Sequence, residues 1–228
     1  MVTSAVRWDN WGRTASANPQ SIETPSREDE IALIVKSAES ADRRVKVVGA
    51  GHSFTDIAAT DGVLIDLRRY DRVLDVDVQK KRVRVQAGIT LEKLNSELAY
   101  HGLAMPNLGD IAYQSIAGAI STATHGTGIQ LGNLSTQVHA LSIVTADGST
   151  MYCSADRDPQ AFRAAQVGLG ALGVLSTVTL NCVPAFTLHA INEPRKLDVV
   201  LEEIDGLVND NEHFEFFWFP HTETVYQK

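Results

Sequence analysis

From Met105 to Gly128 the chain reads Met-Pro-Asn-Leu-Gly-Asp-Ile-Ala-Tyr-Gln-Ser-Ile-Ala-Gly-Ala-Ile-Ser-Thr-Ala-Thr-His-Gly-Thr-Gly. Almost every residue is small or hydroxylated, with Gly109, Gly118, Gly126 and Gly128 spread along it. Few cores are built from so many small side chains. Two arrangements accommodate them. One is a short helix packed tightly by its small residues, with a loop at each end. The other is a wall for a flat, rigid ligand, where each missing side chain lets a backbone N–H or C=O reach it. Ser115, Ser121, Thr122 and Thr124 add short polar groups that bind without filling space. A lone histidine such as His125 more often makes a structural hydrogen bond than does catalysis.

A second glycine-rich stretch lies earlier. Val45 to Val48 are strand-like, and the chain then runs Gly49-Ala50-Gly51-His52-Ser53-Phe54. A strand entering such a loop can present consecutive N–H groups to a phosphate. The dinucleotide fingerprint Gly-x-Gly-x-x-Gly is incomplete, because Phe54 holds the third position. The segment Thr55 to Asp61 is also too short for the helix that should follow.

A chain of 228 residues with a net charge of −8 holds one large domain or two smaller ones. It lacks the positive field that nucleic acid or an anionic membrane would need. Any bound anion must therefore be held by local N–H groups. Cys153 and Cys182 lack metal-ligand spacing and are expected as buried free thiols, a disulfide being the alternative. No metal site and no membrane span are expected, and a cytoplasmic location follows by default.

Residues after Pro25 predict a helix with Ile31, Ile34, Val35 and Ala38 inward, opened by a capping box at Ser26-Arg27-Glu28-Asp29. Strands are predicted at Val63–Leu67, Val73–Val78, Arg82–Val85, Val138–Thr145, Thr150–Ser154 and Val174–Leu180. Helices are predicted after Thr90 and from Asp158 to Val167. The order is α+β with mixed strands. Beyond Pro184 a strand at Phe186–Ile191, a helix at Leu197–Val208 and an aromatic strand at His213–Phe219 read as the start of a second domain. Phe214, Phe216 and Trp218 would need a sheet partner that the remaining residues hardly supply. The chain is expected to be the N-terminal part of a longer protein.

Four stretches in this order carry a resemblance: Gly49 to Phe54, Ser115 to Gly128, Leu169 to Val174 (Leu-Gly-Ala-Leu-Gly-Val) and Trp218 to Thr222. The chain resembles the vanillyl-alcohol-oxidase-type flavoproteins, and more narrowly the sugar-1,4-lactone and alditol oxidases such as gulonolactone and arabinonolactone oxidases. The resemblance implies an FAD-binding domain over residues 1–184, in subdomains of roughly 14–70 and 71–184. The start of an α+β substrate domain would follow over 185–228. It implies that Gly49, Ala50, Gly51, His52, Ser53 and Phe54 wrap the diphosphate. His52 would bond to the flavin 8α-methyl carbon or donate a hydrogen bond instead. Ser115, Gly118, Thr122, Thr124, His125 and Gly126 would line the flavin and its phosphates, and Val174 its adenine or ribitol end.

In the same resemblance Gly109 is a position near the reactive edge where a small residue leaves room for O₂. Asp110 replaces the serine of alditol oxidases and tilts the substrate toward a lactone. The implied reaction is hydride transfer from a sugar lactone, or an alditol, to FAD, with O₂ or another acceptor reoxidising it. The catalytic residues are expected beyond Lys228, and His221 is read as structural. An FAD-binding module without turnover is the rival expectation.

Overall fold

The computed structural model describes residues 6–228. A short hairpin of β1 (Trp8–Asp9) and β2 (Ser16–Ala17) precedes a three-stranded parallel sheet. That sheet contains β3 (Ser21–Glu23), β4 (Val45–Val48) and β5 (Val63–Asp66) in the order β3-β5-β4. The central strand β5 is buried along its whole length, as a parallel strand covered on both faces requires.

Between β3 and β4 runs α1 (Glu28–Ser40), which buries Ile31, Val35 and Ala38 from a single face. Glu28, Asp29 and Glu30 occupy its first turn, where the helix dipole favours negative charge. The predicted capping box is only half formed. Glu30 accepts from the Ser26 N–H (2.7 Å), but Arg27 is the cap residue and makes no side-chain cap bond.

After a 3₁₀ turn at Leu67–Arg69 the chain enters a five-stranded antiparallel sheet. Its first strands are β6 (Val73–Asp77) and β7 (Arg82–Gln86), joined through Lys81 in the left-handed region (φ 53°). Next comes α2 (Leu91–Tyr100), capped by the Thr90 hydroxyl, with Leu91, Leu94 and Leu98 buried and Gly102 (φ 68°) closing it. Then come β8 (Leu103–Ala104) and the six-residue α3 (Ile116–Ser121). The sheet is completed by β9 (Val138–Val144), β10 (Thr150–Ser154) and, after α4 (Pro159–Gln166), β11 (Val174–Asn181). Its order is β10-β9-β11-β7-β6. The main core joins α1, α2 and α3 to both sheets through Ile31, Ile65, Leu94, Ile116, Ile120, Ile143 and Val178.

β12 (Val183–Pro184) pairs with β8, and the C-terminal residues form their own unit. Residues 186–191 are irregular, not the strand that was predicted. The strands are instead β13 (Glu193–Lys196), β14 (Phe216–Trp218) and β15 (Thr224–Gln227), in the order β13-β15-β14 beside α5 (Leu197–Asp210). The aromatic strand thus finds its partner in β15, four residues long and too short to stand out in the sequence. Phe217 and Trp218 remain about half exposed. Among the described residues no helix is long and apolar enough to cross a membrane, and no cluster of metal-ligating side chains forms.

Candidate functional site

A cleft of about 790 Å³ separates the parallel sheet from α3 and the end of the antiparallel sheet. This lies in the upper part of the ~300–1,000 Å³ range of small-molecule and cofactor sites. One wall is β4 with the loop Gly49 to Ser53, and the facing wall carries Ser115, Gly118, Ser121 and Thr122. The turn Leu169 to Val174 closes a third side. The two small-residue runs therefore share one cavity.

The contact between them is tight. A Cβ on Gly49 would collide with the Ser115 side chain, so only glycine lets the walls approach this closely. Ser115 is itself held in place: its hydroxyl accepts from the Gly118 N–H (3.2 Å), capping α3. The N–H groups of Ile116 and Ala117 donate to the Ile89 and Ala87 carbonyls (2.8 and 3.0 Å). The first turn of α3 thus spends its N–H groups inside the protein and contributes a smooth surface to the cleft. The Thr122 hydroxyl likewise donates inward, to the Gly118 carbonyl (2.9 Å).

The opposite wall behaves differently. Among the described residues, the N–H groups of Ala50, Gly51, His52 and Ser53 have no acceptor within the chain. Of the three buried side-chain atoms without a partner among the described residues, His52 Nδ1 and Gln114 Oε1 belong to residues that line the cleft, and Gln137 Oε1 does not. Burying a polar atom unpaired costs about 1–3 kcal/mol. A bound molecule carrying acceptors for the loop and a donor for Gln114 would remove that cost. FAD, with a diphosphate and ribityl hydroxyls, has such groups, and the residues present fit it. Trp11 stacks on the His52 ring (centroids 5.3 Å apart, planes within 19°) and fixes its orientation.

Of the residues singled out in the sequence, Gly49, Ala50, Gly51, His52, Ser53, Ser115, Gly118, Thr122 and Val174 line the cleft. The others do not. The Phe54 ring is turned outward against Trp11 and Gly12. Gly109, Asp110, Thr124, His125 and Gly126 belong to a neighbouring cluster. There a Cβ on Gly109 would stand 3.0 Å from the His125 carbonyl oxygen, and one on Gly126 would strike Leu108 and Asn107. Buried Asn107 ties the two loop segments of this cluster by donating to the Thr127 carbonyl (3.1 Å). His125 is exposed, with Nδ1 2.9 Å from the carbonyl of Gly126.

This second cluster faces the C-terminal unit. The Thr127 hydroxyl meets His213 Nδ1 at 3.1 Å, and Lys228 bridges Asp110 (3.0 Å) and Glu215 (3.1 Å). Sequence reasoning passed over Trp8, Gln114 and the charged group Arg43, Arg44 and Lys46, all of which line the first cleft. The isolated amide of Gln114 inside a small-residue run was the available signal.

Residues 19–154 match the family model described as FAD binding domain, and residues 178–228 match that described as D-arabinono-1,4-lactone oxidase. The chain is 44% identical over 220 residues to L-gulonolactone oxidase of Bos taurus, covering 96% of this chain and 50% of that protein. It is 46% identical over 216 residues to L-gulono-1,4-lactone dehydrogenase of Mycobacterium tuberculosis, covering 95% and 50%. A D-arabinono-1,4-lactone oxidase of Eremothecium gossypii is 34% identical, with 93% and 41% covered. The chain spans about half the length of the curated relatives it matches. Cholesterol oxidase from Brevibacterium sterolicum shares the fold, with a TM-score of 0.83 at 19% identity over 97% of this chain and 46% of that one.

Proposed function

We propose, from the premise that this chain belongs to the FAD binding domain family and from its likeness to aldonolactone oxidases, that it is the FAD-binding part of an oxidoreductase acting on a sugar-1,4-lactone. The observation that carries this reading is the cleft shared by Gly49–Ser53 and Ser115–Thr122, with unpaired donors on one wall and a smooth small-residue surface on the other.

When bound, FAD supplies the two-electron acceptor for the hydride leaving the lactone carbon. The N–H groups of Ala50 to Ser53 hold its diphosphate, and Gln114 Oε1 accepts from one of its hydroxyls. Gly118 and Thr122 give it a flat wall, and Val174 borders its adenine or ribitol end. His52, buried at Nδ1 and stacked under Trp11, would hold the flavin ring, either as the attachment point for its 8α-methyl carbon or through a hydrogen bond. Thr124, His125 and Gly126 shape the neighbouring loop. Gly109 and Asp110 stand outside the cleft, beside the C-terminal unit, and O₂ access and the substrate side would lie at that boundary. Return of the reduced cofactor to its oxidised form would require O₂ or another acceptor.

Cys153 and Cys182 are both free and buried, and burial pushes the Cys182 thiol up to about 11. Two unpaired thiols support a reducing, cytoplasmic compartment.

The test is titration of the purified chain with FAD, followed by flavin fluorescence, and then addition of gulono- and arabinono-1,4-lactone. Binding with bleaching by a lactone supports the full reading. Binding without bleaching supports a second one, favoured by the half-length coverage: a flavin-holding portion whose turnover needs residues outside this chain. Absence of FAD binding overturns both.

A further inference from the structure

We infer that the segment from Trp8 to Thr14 is a positioning strap, and that its buried Asn10 makes the glycine loop selective for an anion by drawing the loop's carbonyl oxygens away from the cleft. The inference rests on the reading of that loop as the seat of the FAD diphosphate.

Asn10 is 3% exposed and uses both ends of its amide. Its Nδ2 donates to the Ser53 carbonyl (2.7 Å) and to the Thr14 hydroxyl (2.9 Å), while its Oδ1 accepts from the N–H groups of Thr14 and Ala15 (2.9 and 3.1 Å). The Thr14 hydroxyl in turn donates to the Phe54 carbonyl (2.6 Å), and the Trp11 N–H donates to the Gly51 carbonyl (2.8 Å). The carbonyls of Gly51, Ser53 and Phe54 are thus all engaged by one segment. The N–H groups of Ala50 to Ser53 have no acceptor within the described chain.

A peptide loop is electrically neutral, and it binds anions only where its N–H groups converge and its C=O groups are turned elsewhere. Gly51, at φ 68°, allows the sharp reversal that separates the two sets. The strap lies closely against the loop, since a Cβ on Gly12 would stand 2.9 Å from the Phe54 ring, and Trp11 stacks on His52. Asparagine is required at position 10 because the site needs a donor toward the loop and an acceptor toward Thr14 and Ala15. An aspartate keeps only the acceptor and sets a carboxylate against the Ser53 carbonyl.

The test uses the full chain freed of flavin, with FAD, ADP and adenosine as ligands, the latter two by competition against FAD fluorescence. Asn10→Ala and Asn10→Asp are expected to weaken FAD and ADP by about tenfold or more while adenosine changes by less than about twofold, as loss of charge-assisted bonds predicts. Thr14→Val gives a smaller loss of the same kind, and Thr14→Ser, which keeps the hydroxyl, restores wild-type affinity. The Thr14 pair also serves if the Asn10 variants fail to fold. Equal losses for ADP and adenosine, unchanged affinity in every variant, or identical behaviour of Thr14→Ser and Thr14→Val would overturn the strap while leaving the FAD reading intact. Failure of the unmodified chain to bind FAD or ADP would overturn the reading beneath it.

Discussion

Gly49 stands so close to Ser115 that a methyl group on the glycine would occupy the space of the serine hydroxyl. Two glycine-rich stretches far apart in the sequence are thereby locked face to face, and the cleft takes its width from that contact. Gly49→Ala should destabilise the chain by about 1–3 kcal/mol through overpacking. Ser115→Ala alone should cost about 1 kcal/mol for the lost cap. The double variant should fall well short of the sum, since removing the Ser115 hydroxyl relieves the clash. Urea unfolding of all three measures the coupling, and strict additivity would show the two positions to be independent.

His52 makes a chemical test possible. If its imidazole carries the flavin covalently, acid precipitation of the holoprotein pellets yellow colour with the chain. His52→Ala should then bind FAD reversibly and release all of it into the supernatant. An equal acid-stable fraction in both proteins would remove His52 from that role.

Gln114 gives a prediction with opposite signs in the free and bound protein. Its Oε1 is buried and unpaired, so Gln114→Leu should leave the flavin-free chain as stable as before or raise its Tm. The same change should weaken FAD by about 1–2 kcal/mol, the worth of a hydrogen bond. Thermal unfolding with and without FAD reads both effects, and a loss of stability without ligand would contradict the assignment.

Asp147, in the turn between β9 and β10, is held down to about 2 by hydrogen bonds from the Thr145 hydroxyl and then from the Ser149 N–H and hydroxyl. Its folded value lies below the unfolded one near ~4, so the folded chain binds fewer protons in that interval. The stabilisation is present above about pH 4 and is lost as pH falls toward about 2. Asp147→Asn should flatten this part of the acid limb in a plot of Tm against pH, with neutral-pH behaviour little altered.

Local elements were legible where one short window held the whole signal. The helical spacing of Ile31, Val35 and Ala38 and the Thr90 cap before Leu91, Leu94 and Leu98 both formed as the periodicity dictates. The Asp147-Gly148 turn between β9 and β10 formed likewise. In the C-terminal unit the helix and the aromatic strand formed as well, and only the strand at 186–191 did not, for the same reason in reverse. Residues 186–191 are apolar enough to suggest a strand, yet they lack a pairing partner. Thr224–Gln227, short and unremarked with Val225 as its one buried residue, supplies the central strand because β13 and β14 both need it.

The candidate site divides along the same line. The sequence marked two runs of small residues and narrowed them to two arrangements, a tightly packed short helix or a wall for a flat ligand, because side chains of that size leave room that something else must fill. Which members of those runs meet was a matter of contacts between distant segments. Gly49 is small because of Ser115, Gly109 and Gly126 because of His125, Asn107 and Leu108, and Gly12 because of Phe54. Likewise, only the folded chain turns Phe54 toward the strap and buries Gln114 Oε1 at the cleft without a partner. A residue's type records how much room it requires, whereas the neighbour that takes the remaining room is chosen when the sheets and helices close on one another.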